Sequence, residues 1–184
     1  HKWVCAPKGA AFLWVRPDRQ DRVRPLAISH GWNAPRHGRS LFRMLFDWTG
    51  TADPTPYLCV PSSIAFLGGL LPGGWPELMA RNRALALEAR ALLCAALAIP
   101  EPAPASMIGS MATLPLPDGD DPALEPVHPR DPLQGALLSR HGIEVPIFPW
   151  PAPPRRVLRV SAQLYNRIDE YERLAAILPA LLEA

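Results

Sequence analysis

Lysine is nearly missing from this chain. Of its nineteen basic side chains only Lys2 and Lys8 are lysines, and the rest are arginines. A guanidinium stays protonated at any working pH, whereas an amine can lose its proton in a desolvated site and act as a nucleophile or Schiff-base former. In water near pH 7, with a reference pKa near 10.4, fewer than about one lysine in a thousand is neutral. A reactive lysine therefore needs an environment, which Trp3 and the small residues after it could help to form. Cysteine is also scarce: Cys5, Cys59 and Cys94 show neither CxxC nor disulfide-scaffold spacing, which fits a reducing, cytoplasmic compartment. Each is expected to be a small buried hydrophobe. No apolar run reaches the roughly eighteen residues of a membrane helix, and no basic-then-apolar signal pattern opens the chain. No basic run of five appears and the formal net charge is only +2, which excludes a nucleic-acid groove and a membrane-binding face. The first residue is His1 rather than Met, so the expectation is a piece of a longer protein.

What is present describes a globular chain: 48% hydrophobic and 20% charged over 184 residues. Its 24 prolines cluster between periodic segments and punctuate the fold. Residues 9–15, rich in aromatic and branched side chains and closed by Arg16-Pro17-Asp18, predict a buried strand, and residues 26–29 a second. Residues 30–39 read as a polar loop carrying His30 and His37, more simply solvated histidines than a metal pair. Thr49-Gly50-Thr51 groups hydroxyls with an exposed backbone, a pattern suited to an oxyanion and equally ordinary in turns. Residues 57–71 predict a buried helix broken at Gly68-Gly69. Pro76 suits the first position of a long helix with Leu78, Leu85 and Leu92 on one face, Asn82, Ala89 and Ala96 between them, and Arg81, Arg83, Glu88 and Arg90 elsewhere. The proline-rich residues 100–104 then read as a linker. Beyond them the pattern gives a strand at 110–116, a polar loop at 119–130, a helix at 132–139, strands at 143–148 and 155–161, and a helix at 168–183 capped by Asn166 and kinked at Pro179. Strand, helix, strand, strand, helix is a small α+β lobe. Asp118, Asp120 and Asp121 form an acidic loop without a metal-site signature.

Three blocks stand out together: His1-Lys2-Trp3 with Pro7-Lys8-Gly9; Trp48-Thr49-Gly50-Thr51 with Asp53-Pro54; and Arg159-Val160-Ser161 running into Leu164-Tyr165-Asn166. Their order and spacing around a long helix resemble the C-terminal half of class V aminotransferase-fold enzymes dependent on pyridoxal 5'-phosphate (PLP), most closely the isopenicillin N epimerase-like group. The resemblance spans essentially the whole chain. It implies an α/β fold, the C-terminal part of a fold-type I PLP-dependent transferase. The end of the large α/β domain would occupy residues 1–74, a connecting helix 75–99, and a small α+β domain 100–184.

Carried over to this sequence, the resemblance makes Lys2 the Schiff-base lysine that also moves the α-proton, flanked by His1 and Trp3. It assigns Thr49, Gly50 and Thr51 to the cofactor phosphate of a neighbouring subunit, and hence implies a homodimer. It assigns Arg159 to the α-carboxylate of an amino-acid substrate. Arg155 and Arg156 are nearby competitors, but only Arg159 stands in an Arg-x-Ser context. Cysteine desulfurases of this superfamily carry a nucleophilic thiol shortly before that arginine. Residues 143–154 have none, which leaves epimerisation, transamination or C-S lysis. Most of the cofactor cradle would come from an N-terminal half outside this sequence, so the expectation is that the chain alone neither holds PLP tightly nor turns over substrate. Two rival readings remain: a catalytically inactive paralogue, and a non-enzymatic interaction module docking through Pro146, Pro149, Pro151, Pro153 and Pro154 as a polyproline helix.

Overall fold

The computed structural model describes residues 1–35, 37–119 and 131–183. The chain divides into two compact units, His1–Leu67 and Gly68–Ala184. The expected polar loop at 119–130, with Asp120 and Asp121, lies outside the described residues apart from Gly119.

The first unit is built from short pieces. Two 3-10 turns, Pro17–Arg22 and His30–Trp32, precede three helices: α1 (Leu41–Phe46), α2 (Thr55–Leu58) and α3 (Val60–Gly68), whose last residue enters the second unit. Neither expected strand forms. Residues 9–15 and 26–29 have no ladder partner among the described residues, and their large side chains face outward, with Phe12 93% and Trp14 72% exposed. A run of branched and aromatic residues favours extended backbone, but a strand exists only where another backbone accepts its hydrogen bonds. The helix expected at 57–71 is interrupted after Leu58 and ends at Gly68. It is not buried: Leu58, Ile64 and Phe66 are exposed, and only Leu67 is enclosed. Cys5 is exposed and Cys59 half-buried, so of the three cysteines only Cys94 meets the expectation of burial.

The second unit follows the sequence pattern closely. Helix α4 (Gly74–Ala96) starts two residues before Pro76, whose missing N–H falls in the first turn where no intrahelical partner would exist. Its buried stripe is Leu78, Asn82, Ala86, Ala89, Arg90, Leu93 and Cys94, which keeps Leu78, Asn82 and Ala89 of the expected face but turns toward Arg90 and Leu93, so that Leu85 and Leu92 only flank it. Arg90, expected on the solvent side, is 2% exposed and donates to the Ala103 carbonyl at 2.7 Å and to Glu101 at 2.6 Å. Arg83 likewise donates to the carbonyls of Ala105 and Ile108. The proline-rich linker is therefore strapped along α4 by Arg90, and the residues just after it by Arg83.

Beyond the strap come β1 (Met111–Leu116), α5 (Pro132–His141), β2 (Ile147–Pro149), β3 (Arg156–Ser161) and α6 (Ile168–Leu182). The sheet is antiparallel in the order β1-β3-β2, with Ala112 opposite Val160 and Leu114 opposite Leu158. Alternation sends these four to the core face, where they meet Leu93, Leu174 and Leu178 of α4 and α6. Gly142, at φ +64°, closes α5 in the left-handed region.

Three local expectations change. Strand β2 is short: just before it the Pro146 carbonyl still accepts from the Arg159 amide at 3.1 Å, but a proline has no N–H with which to extend the ladder. The proline-rich stretch is no free docking helix: residues 147–149 pair with β3, and the Trp150 amide donates to the Arg155 carbonyl, closing a hairpin. The N-cap of α6 is Arg167 rather than Asn166. Glu170 accepts from the Arg167 amide at 3.2 Å and from Asn166 Nδ2 at 2.9 Å, while Asn166 Oδ1 accepts from the Gln163 amide. The helix continues through Pro179 to Leu182, without the bond a residue with an N–H would make there.

Candidate functional site

The candidate residues lie in three places, two in the first unit and one in the second. Residues 1–6 form a tight turn in which the Cys5 and Ala6 amides donate to the carbonyls of Lys2 and His1. The His1 amino group and imidazole both approach the Ala10 carbonyl at 3.4 Å, tying the turn to the extended stretch that follows. Lys2 is exposed, and its amine has no hydrogen-bond or ion-pair partner among the described residues. The desolvated surroundings that its chemistry requires are not supplied by this chain in the described structure.

The second place is a cleft of about 740 Å³ inside the first unit, lined among others by His30, Trp32, Arg39, Arg43, Trp48 and residues 49–51. Local rules build both of its walls. The Ser29 hydroxyl accepts from the Gly31 amide to start the His30–Trp32 turn, and the Ser40 hydroxyl accepts from the Arg43 amide to start α1. The turn packs so tightly on α1 that a Cβ at Gly31 would lie 2.0 Å from the Met44 carbonyl oxygen. Only glycine allows that approach. Thr49, Gly50 and Thr51 are exposed at the cleft, and Gly50 has φ +148° with open space where a Cβ would stand. Arg43 pairs with Asp47 at 3.4 Å. Just beyond, the Asp53 carboxylate accepts from the Thr55 hydroxyl at 2.6 Å and its amide at 2.9 Å, which holds its pKa below the usual value.

The third place is on β3. Of the three neighbouring arginines, Arg156 is committed to structure. Its Nη1 reaches both Asp131 oxygens at 3.0 Å, and its Nε donates to the Pro117 carbonyl. Asp131 in turn caps α5 through the Leu133 amide. Arg155 is exposed on the hairpin. Arg159, opposite Thr113 and one step out of phase with the core-facing Leu158 and Val160, is half-buried, and its Nε is enclosed without a hydrogen-bond partner. It lines a cleft of about 490 Å³ together with residues 143–146, Ser161, Asn166, Glu170 and Tyr171. The Tyr171 hydroxyl donates to the Ser161 carbonyl at 2.6 Å and fixes the end of β3. Burial, and then the Glu170 carboxylate, push its pKa up to about 12. An enclosed guanidinium nitrogen without an acceptor is costly unless a ligand completes it.

The structure thus brings Thr49, Gly50 and Thr51 into one cleft and sets Arg159 apart from its competitors. The sequence reading passed over Arg39, which shares the cleft with residues 49–51 and has no partner among the described residues. The available signal was a loop arginine with no acid three or four residues on, whereas Arg43, inside α1, has Asp47. Burial pushes the Cys94 thiol up, away from the thiolate form. Among the described residues no group of three or more His, Cys, Asp or Glu could hold a metal ion, and no helix is long and apolar enough to cross a membrane.

No family model matches the chain. It is similar to proteins named isopenicillin N epimerase, from Streptomyces clavuligerus at 33% identity and from Amycolatopsis lactamdurans at 35%, each over 98% of this chain and 45% of the relative. It is also similar to a probable chloroplastic L-cysteine desulfhydrase of Arabidopsis thaliana, 28% identical over 95% of this chain and 37% of the relative. The chain spans less than half the length of these relatives, all of which are named as enzymes.

Proposed function

We propose that this chain is the C-terminal portion of a PLP-dependent enzyme of fold type I that acts on an amino acid. Residues 1–74 would belong to its large domain, 75–99 to the connecting helix and 100–184 to its small domain. The observation that carries the reading is Arg159, an enclosed guanidinium with an unsatisfied Nε on a cleft, in a chain that aligns almost end to end with relatives named for an epimerase.

The residues present fit the cofactor. Lys2 offers an unpartnered amine, and Thr49, Gly50 and Thr51 offer hydroxyls and backbone at an open cleft. When bound, PLP supplies an electron sink that lets a bond at the substrate Cα break with its electrons left behind. Lys2 Nζ would attach the cofactor and then take and return the Cα proton, once the rest of the protein has removed it from water. Arg159 would grip the α-carboxylate through its planar fork and so set which Cα bond is labile. Residues 49–51 would face the cofactor phosphate of a second copy, making the enzyme a homodimer. A cytoplasmic location is part of this reading and suits the three free cysteines.

Epimerisation is the reaction favoured by the two relatives above 30% identity. Elimination at sulfur is the second reading, favoured by the desulfhydrase relatives. Transamination would start from the same Cα chemistry.

The scarcity of lysine supplies the test. The protein is incubated with PLP, reduced with borohydride and mapped by peptide mass. Label on Lys2 in excess over Lys8, lost in Lys2→Ala, is expected. Equal labelling of the two lysines would overturn the assignment of Lys2.

A further inference from the structure

The cleft in the first unit holds a charge that the reading above leaves unused. Its charged lining consists of Arg39, Arg43 and Asp47, with His30 on the opposite turn. Arg43 and Asp47 offset one another. Arg39 is exposed and makes no hydrogen bond or ion pair among the described residues, so it adds an unpaired positive charge to a cleft that Thr49 and Thr51 also line. Hydroxyls and backbone amides orient an oxyanion but do not neutralise it, whereas a phosphate monoester brings about −1.5 to −2 charges at pH 7. A guanidinium supplies both the charge and a planar fork matched to phosphate oxygens. Trp32, Trp48 and Met44 add aromatic and apolar surface to the same lining.

We propose that Arg39 is the counter-charge of a phosphate site completed by residues 49–51. This rests on the reading of 49–51 as a phosphate-facing segment and adds to it the residue that sets its affinity. The shared chemistry is a tetrahedral phosphate, carried by a cofactor monoester or free in solution.

The test is a phosphorus NMR titration of the full-length protein that contains this chain, stripped of cofactor, with inorganic phosphate and, separately, with pyridoxamine 5'-phosphate, which lacks the aldehyde that would react with Lys2. It reads binding without turnover, and circular dichroism checks that each variant folds. Arg39→Gln is expected to weaken both ligands roughly tenfold, the effect of losing one charge-assisted contact, while Arg39→Lys restores part of the loss. Thr51→Val is expected to weaken both as well. Tighter binding of the monoester than of free phosphate supports the site with the cofactor as its source, and equal binding supports it with free phosphate. If Arg39→Gln binds like the unaltered chain while Thr51→Val does not, Arg39 is eliminated and the 49–51 reading survives. If Arg39→Gln weakens binding and Thr51→Val does not, the anion sits elsewhere and the joint site is wrong. If the unaltered chain broadens neither signal, both readings fall.

Discussion

The two units obey the same physics with opposite results. In Gly68–Ala184 the apolar side chains of two long helices and a sheet converge on one core, including Leu93, Leu114, Leu137, Leu158, Leu174 and Leu178. Among the described residues of His1–Leu67 only Ala10, Leu45 and Leu67 are buried, while Phe12, Leu13, Trp14, Leu26 and Phe66 face outward. The first unit is only slightly poorer in apolar residues. It lacks elements long enough to present them on a common face, since α1 has six residues and α2 four. Helices this short are marginal without tertiary support. Apolar content alone therefore does not make a core; regular elements with a matched period do.

The largest effect should come from cutting into the ordered half. Leu158 is fully buried between Leu114 on β1 and Ile147 on β2. Leu158→Ala removes three carbons and leaves a cavity, for an expected loss of about 3 kcal/mol. Urea unfolding followed by far-ultraviolet circular dichroism, dominated by α4 and α6, would show the midpoint fall. An unchanged midpoint would mean that the second unit is not held by this core.

The same contrast decides what the sequence disclosed. Helices α4, α5 and α6 and strands β1 and β3 were readable to within a few residues, because each carries a full period of its pattern and a stop such as Gly142. The strands expected at 9–15 and 26–29 failed because side-chain type says that a segment prefers extended backbone, not that a neighbour exists to pair with it. Arg90 was misplaced because a helical wheel fixes spacing but not rotation, and the partner that makes its burial tolerable, Glu101, lies beyond the helix. Arg159 could be separated from Arg155 and Arg156 only by a resemblance. Its physical distinction is an enclosed Nε, whereas Arg156 is taken up by Asp131 from 25 residues away, and neither fact is local in sequence. Arg39 was missed because a free charge in a polar loop looks like a solvated one until Arg43 is seen to be paired.

A smaller effect should appear where the second unit has buried an ionisable group. Tyr171 has its pKa raised to about 12 in the folded chain, above the ordinary value near 10. The folded state then holds its proton more tightly than the unfolded state. Stability from this group is complete below about pH 10 and is lost as pH rises toward 12. Tyr171→Phe should cost about 1 kcal/mol at neutral pH, through the lost bond to Ser161, and should flatten the alkaline slope. A slope that survives the substitution would assign it to other groups.

The smallest effect on stability, and the sharpest test of the contrast, belongs to the first unit. Phe12 and Trp14 are exposed and pack on no core, so Phe12→Ser with Trp14→Ser should shift the unfolding midpoint by less than about 0.5 kcal/mol, the usual range for surface changes. Solubility should behave differently. Contiguous exposed aromatic surface on an unpaired extended segment favours self-association through both apolar contact and strand addition. Light scattering at increasing concentration should therefore fall in the double variant while the midpoint stays put. If instead the midpoint drops as it does for Leu158→Ala, residues 12 and 14 belong to a core, and the division between an ordered half and an uncovered half would have to be redrawn.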